Sequence, residues 1–182
     1  ITPDTWEWYY RHVGGESCPV VDTWWQTETG GMMLATMPAV RDMKPGSVGP
    51  PLPGMGVEVV DATGDPVDPG EAGYLVVSRP WPSMPRELRR GEEWATAAPE
   101  LVDDWGYVTG DSATVDEEGY VTLLGRVDDV INAANHRFGT MEIESAIVEV
   151  EGVTETGVVS VHDAEHGGVH AFVTLAEGVS GD

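Results

Sequence analysis

Cysteine, lysine and long apolar runs are scarce or missing in this sequence, and each absence excludes something. Cys18 is the single cysteine among 182 residues, so an intrachain disulfide framework and a cysteine-based zinc site are excluded. No run of about eighteen apolar residues occurs, so no bilayer-spanning helix is expected. No charged-then-apolar segment opens the chain, so no secretory signal is expected and the expected compartment is the cytoplasm. Nine basic residues face thirty-two acidic ones, a formal net charge of −23. Nucleic-acid backbones and anionic membrane surfaces would be repelled by such a charge, so neither is an expected partner. Lys44 is the only lysine, every other cationic side chain being an arginine. The acidic residues are spread along the chain rather than gathered in a tail, and seven tryptophans with a hydrophobic fraction of 41% argue against disorder. An ordinary acidic protein accounts for this charge. So does adaptation to high salt, where ions screen the self-repulsion, and the scarcity of lysine favours that second reading.

The length suits one large domain or one and a half small ones. The chain opens at Ile1 in what reads as a helix already under way and closes at Asp182 after a strand-like run. A piece of a longer protein is therefore expected. Residues 3–13 read as a helix with Pro3 in its first turn, and Cys18 to Trp24 as a short buried strand. Residues 44–56, rich in Pro and Gly, read as irregular. The short strands Val57–Asp61 and Gly73–Ser78, punctuated by turns, have the rhythm of a small β-barrel or sandwich. Residues 79–105 read as an excursion with a short helix near 86–90. Asp116 to Gly119 reads as the turn of a hairpin between strands starting at Tyr107 and Tyr120. Thr140 to Val150 has helical period with Thr140 as N-cap, and Val153–Val161 and Val169–Leu175 read as strands. The expected fold is α/β followed by α+β, divided at 1–44, 45–127 and 128–182.

Four clusters carry candidate chemistry. The first runs from Asp22 through Thr23, Trp24, Trp25, Gln26, Thr27 and Glu28 to Gly31. A strand-to-loop junction exposes amides and hydroxyls that can hold phosphate oxygens, and Glu28 suits Mg²⁺, which takes carboxylate and phosphate oxygens. Taken alone, the segment reads first as a capped turn with two core tryptophans. The second is Tyr107-Val-Thr-Gly-Asp111, where an aspartate behind a glycine at a strand end can accept both hydroxyls of a ribose; an ordinary turn would look the same. The third is Gly125-Arg-Val-Asp-Asp129, whose Arg126 falls near the same hairpin end as Asp111, either as an anion-accepting partner for a nucleoside monophosphate or as its salt bridge. The fourth is Asn132 to Glu144, with Arg137 ahead of a glutamate-rich helix whose Glu142 or Glu144 it would otherwise pair with. His162, His166 and His170 are spaced by four, but Gly167-Gly168 breaks any helix that would align them as ligands.

In this order and spacing the motifs Thr-Glu-Thr-Gly, Tyr-x-Thr-Gly-Asp, Gly-Arg-x-Asp-Asp-x-Ile, His-Arg and Glu-Ile-Glu resemble those of AMP-forming acetyl-CoA synthetases, in the acyl-adenylate-forming superfamily. The resemblance covers essentially the whole chain. It implies the end of a large adenylation domain with a small β-barrel subdomain, then the start of a small α+β C-terminal domain. It implies acetate, ATP and CoA as ligands, AMP as product and Mg²⁺ as cofactor. Asp22, Thr23, Trp24, Trp25, Gln26 and Thr27 would contact AMP, with Trp25 also closing the pocket for a short acid and Glu28 beside Mg²⁺. Asp111 would hold the ribose, Arg126 ribose and phosphate, and Arg137 the phosphate. Asp128 would be the hinge, Ala134 and Asn135 would lie beside CoA, and Val148, Val150 and Val153 match a stretch whose carbonyls bind a structural Mg²⁺, although packing is their plainer role.

The departures from the pattern also carry expectations. Asn132 stands where most of the wider superfamily has lysine, and Asn135 where a glycine is usual before His-Arg. A side chain there would crowd CoA and impair thioester formation. The phosphate-cradling loop and the adenine-binding stretch would precede Ile1, and the catalytic lysine would follow Asp182, Lys44 having the wrong context to replace it. These 182 residues alone are therefore expected to be inactive. The resemblance leaves open a propionyl- or other short-acyl-CoA synthetase, and a non-catalytic adenylate-binding paralogue.

Overall fold

The computed structural model describes residues 1–90, 93–96, 106–127, 131–133, 136–161 and 168–179. The chain divides into two compact units, residues 1–109 with 113–123, and residues 110–112 with 124–182.

The first unit opens with α1 (Pro3–His12), for which Thr2 is the N-cap. The Thr2 hydroxyl accepts from the Thr5 amide at 3.3 Å, and Pro3 sits where a helix has no partner for an N–H. Trp6 is the buried residue of α1. Its indole donates to the Val20 carbonyl at 2.8 Å and its ring stacks on Tyr10 at 5.4 Å. That contact claims the segment expected as a strand from Cys18. Only β1 (Thr23–Trp24) forms there, paired antiparallel with β2 (Leu34–Ala35), and Cys18 is exposed, its amide bonded to Gly14 O at 2.9 Å. One turn of 3₁₀ helix, Thr27–Thr29, lies between β1 and β2.

Then come β3 (Val57–Val60), β4 (Ala72–Val77), β5 (Glu87–Arg90), β6 (Glu93–Thr96), β7 (Tyr107–Val115) and β8 (Val121–Arg126). Strands β3, β4, β7 and β8 form one sheet in that order. Val57, Val59, Leu75, Val77, Ala113 and Val121 place their apolar faces in its core, where alternation puts Glu58 on the outer face. Among the described residues this sheet is open, not the expected barrel. Four strands are too few to close at the usual tilt. The expected helix near 86–90 is instead β5, paired with β6 from Glu87↔Thr96 to Arg90↔Glu93. Pairing with an adjacent segment overrides the helical preference of Glu-Leu-Arg-Arg.

The second unit contains β9 (Ile131–Ala133), β10 (His136–Phe138), α2 (Thr140–Val148), β11 (Val153–Val161) and β12 (Gly168–Leu175). Strand β9 pairs with β10 and β11 with β12, both antiparallel. The N-cap of α2 is Gly139, not Thr140, and it caps without a side chain. A Cβ at Gly139 would lie 2.0 Å from the Leu124 carbonyl oxygen, so only glycine fits that approach. Glu144 of α2 accepts from the Val158 amide at 2.8 Å, tying helix to hairpin. No helix among the described residues is long and apolar enough to cross a membrane.

Candidate functional site

Within the first unit the segment 22–29 separates into side chains fastened inward and side chains left outward. Asp22 accepts from the Thr23 amide at 2.9 Å, which fixes the entry to β1. Trp24 is buried, whereas Trp25 is 59% exposed. Strand alternation separates the two tryptophans, so only Trp24 serves the core. Thr27 is exposed and Glu28 half-buried on the 3₁₀ turn. Thr29 is fully buried. Its hydroxyl accepts from the Gln26 amide at 2.9 Å and lies 2.8 Å from the carbonyls of both Gln26 and Gly31, to one of which it donates. Its carbonyl accepts from Trp81 Nε1 and from Ser83 Oγ, each at 2.8 Å. Gly30 closes the turn at φ +63°, and a Cβ there would lie 2.4 Å from the Ser83 carbonyl oxygen.

Gln26 reaches the opposite way, to β7. Its Oε1 accepts from Tyr107 OH at 2.7 Å and its Nε2 donates to Thr109 O at 2.9 Å. Thr109 is itself buried and donates from Oγ1 to Leu75 O at 2.8 Å. The roles of Tyr107, Trp81 and Ser83 were not legible in the sequence. The available signal was that Tyr107 precedes Thr109 by two and so shares its side of β7.

In the second unit, Gly110 has φ +76°, a conformation that favours glycine. It lets Arg126 lie against the backbone: a Cβ at Gly110 would be 2.4 Å from Arg126 Nη2. Arg126 Nη1 is 3.4 Å from Asp111 Oδ1, the carboxylate side chain 14% exposed and the guanidinium side chain 51%. The two side chains are thus brought together in the salt bridge that was one of the two readings of their motifs. Arg137 lies on β10 opposite Asn132 of β9; its side chain, with Asp128, Ala134 and Asn135, lies outside the described residues. Val148 ends α2, Val150 follows it and Val153 opens β11. Val150 and Val148 are exposed, and the Val150 carbonyl already accepts from the Val153 amide at 3.1 Å. Among the described residues no group of three or more His, Cys, Asp or Glu is placed to hold a metal ion. His170 lies exposed on β12, and His162 and His166 lie outside the described residues.

A cavity of about 490 Å³ in the first unit is lined by Arg41, Asp42, Met43, Lys44, Glu118 and Tyr120, none of which belongs to these clusters. Lys44 pairs there with Asp116 and, at 3.8 Å, with Glu118, above the Tyr120 ring. The hydrogen bond to Asp116 raises the Lys44 pKa above its ordinary value. Partial burial pulls the Asp116 carboxyl upward, but its bonds from Lys44 and from backbone amides prevail and hold it below the ordinary range. A lysine so held is charged and engaged by two carboxylates.

Residues 1–85 match the family described as AMP-binding enzyme. The chain is 49% identical over 183 aligned positions to an acetyl-coenzyme A synthetase of Chlorobaculum tepidum, covering all of this chain and 28% of that protein. It is 50% identical over 186 positions to an acetyl-coenzyme A synthetase of Nitrosomonas europaea, again covering 28% of it. The chain therefore spans little more than a quarter of the length of these relatives. Among solved structures, ATP-bound MatB from Rhodopseudomonas palustris superposes with a TM-score of 0.79 at 34% identity, covering all of this chain and 35% of that one. The mixed α/β architecture is that of acyl-CoA-forming ligases. These likenesses lend no support to the expectation of salt adaptation.

Proposed function

We propose that the chain is the adenylate-binding and hinge portion of an AMP-forming acetate–CoA ligase. The full protein would join acetate to ATP with loss of pyrophosphate, then transfer the acetyl group from AMP to CoA. The observation that carries this reading is the Asp111–Arg126 pair behind Gly110. A carboxylate suited to two ribose hydroxyls and a guanidinium suited to phosphate stand side by side, in a chain similar along its whole length to acetyl-coenzyme A synthetases.

Each residue of the segment then has a role. Thr27, exposed on the turn, offers its hydroxyl to AMP, with the half-buried Asp22 and Thr23 beside it. Trp25, exposed at the end of β1, walls the acid pocket and keeps the acid short. Arg137 approaches the phosphate during adenylation. Glu28 is the carboxylate for Mg²⁺. A single half-buried carboxylate fits this ion, which keeps waters and takes phosphate oxygens rather than an all-protein cage. When bound, the ion neutralises phosphate charge, while the residues of the chain orient the nucleotide. Residues 1–44 would close an α/β subdomain, 45–127 form the next subdomain and 128–182 begin the C-terminal domain, with Asp128 as the hinge that presents lysine for one half-reaction and CoA, beside Ala134 and Asn135, for the other. A soluble, cytoplasmic setting accompanies this reading.

The test is pyrophosphate release by the full-length protein with acetate, propionate or butyrate, with and without CoA. Acetate-dependent release with acetyl-CoA formation is expected. A preference for propionate would move the assignment to another short-acyl ligase. Release without thioester would mark Asn135 as the fault, and no release with any acid would leave a non-catalytic adenylate-binding protein.

A further inference from the structure

We infer that Gln26 is not a nucleotide contact but a positioning residue, and that Tyr107 is the anchor through which it acts. The inference rests on the function proposed above, and it sets Gln26 with the buried Trp24 among the residues of the run 22–27 that face the protein rather than a ligand.

A glutamine amide offers one acceptor oxygen and two N–H donors. Here the oxygen takes the Tyr107 hydroxyl at 2.7 Å and the nitrogen gives to the Thr109 carbonyl at 2.9 Å. The two partners also settle which end of the amide is oxygen, because a tyrosine hydroxyl can donate and a carbonyl cannot. The backbone of Gln26 is engaged as well, its N–H by Thr29 Oγ1 at 2.9 Å and its carbonyl by the Thr29 amide at 3.1 Å. Its neighbours Trp25 and Thr27 are exposed, as a ligand-facing residue would be.

The contacts close a circuit inside the first unit. Gln26 holds Tyr107, the Tyr107 ring lies 6.0 Å from that of Trp81, the Trp81 indole donates to Thr29 O at 2.8 Å, and Thr29 returns to Gln26. The turn that presents Trp25, Thr27 and Glu28 is thereby held against β7 by one amide and one phenol. Misplacing a binding group by a fraction of an ångström weakens what it binds, so loss of either strut should appear as weaker ATP use rather than as unfolding.

The experiment uses the full-length protein, with acetate-dependent ATP–pyrophosphate exchange as the activity. Tyr107→Phe and Gln26→Ala should each raise the KM for ATP about 3- to 10-fold, the equivalent of one neutral hydrogen bond. The double variant should be no worse than the worse single, since the two residues form one strut. A purely structural role would lower the folded fraction and hence the apparent kcat, leaving KM unchanged. Independent effects that multiply in the double variant would overturn the inference, because Gln26 would then contact the nucleotide without Tyr107. A second readout does not need catalysis: Tyr107→Phe should speed deuterium uptake by amides 24–31, and unchanged uptake would also overturn it. If the wild-type protein shows no exchange with any short acid, the functional reading fails and the deuterium result alone decides the strut.

Discussion

At the scale of single residues, the turn that carries Glu28 depends on one backbone conformation. Gly30→Ala would place a methyl 2.4 Å from the Ser83 carbonyl oxygen at φ +63°. Backbone on both sides leaves nothing flexible to give way, so a loss of about 1–3 kcal/mol is expected, read as a lower urea midpoint with an unchanged slope. Gly110→Ala differs in kind. Its methyl would meet the end of the Arg126 side chain at 2.4 Å, which can swing aside. A loss nearer 1 kcal/mol is expected from the positive φ, with a raised KM for ATP in the full-length protein because the guanidinium has moved. An unchanged KM would mean that Arg126 needs no fixed place. Part of this scale was legible beforehand: the contact between Asp111 and Arg126 was one of the two readings of their motifs, whereas Trp25, read first with Trp24 as a core residue, is exposed. The Gln26–Tyr107 bond was not legible, because it joins residues 81 apart and leaves no local pattern.

Elements show the same division. Turn chemistry announced the β7–β8 hairpin and its Asp116–Gly119 turn, where Asp116 Oδ1 accepts the amides of Glu118 and Tyr120 at 3.0 and 2.8 Å. Local pattern failed at β5 and at residues 18–22, where the outcome was set by a partner elsewhere: β6 in one case and the Trp6 indole in the other. It also failed on the barrel, since strand rhythm does not count the strands that join. In the sheet core, Leu75 is fully buried, and Leu75→Ala should cost about 2–5 kcal/mol through lost burial and a cavity. The turn adds a pH-dependent fastening. Because the Asp116 pKa is depressed in the fold, its contribution is present above the ordinary 3.8 and is lost as pH falls through the lower folded value. The Lys44 pKa is raised, so its contribution is complete below 10.5 and is lost only as pH rises past the folded value. Asp116→Asn keeps both amide bonds but removes the pair. It should lower the melting midpoint slightly at neutral pH and low salt, and the gap from wild type should close in acid. A gap that persists in strong acid would show that the ion pair is not its source.

For the whole molecule the governing number is the net charge of −23. With nine cations available, most carboxylates must lack a basic partner, even if every arginine and Lys44 were paired. Salt acts on both populations. It weakens attractive contacts such as Arg11–Glu7, whose side chains are 61% and 49% exposed and which contribute little to begin with. It also weakens repulsion among the excess carboxylates, which act over longer distances and in greater number. The screening length falls from about 10 Å at 0.1 M to about 3 Å at 1 M, so most of the relief should come before molar salt. A melting series in KCl should therefore rise steeply at first and then level, whatever the natural setting of the protein. A continued linear rise into several molar salt, steeper still in sulfate, would instead point to salting-out of apolar surface. A midpoint that stays flat or falls would mean that the few attractive pairs outweigh the repulsion, and that the acidic surface costs the fold nothing.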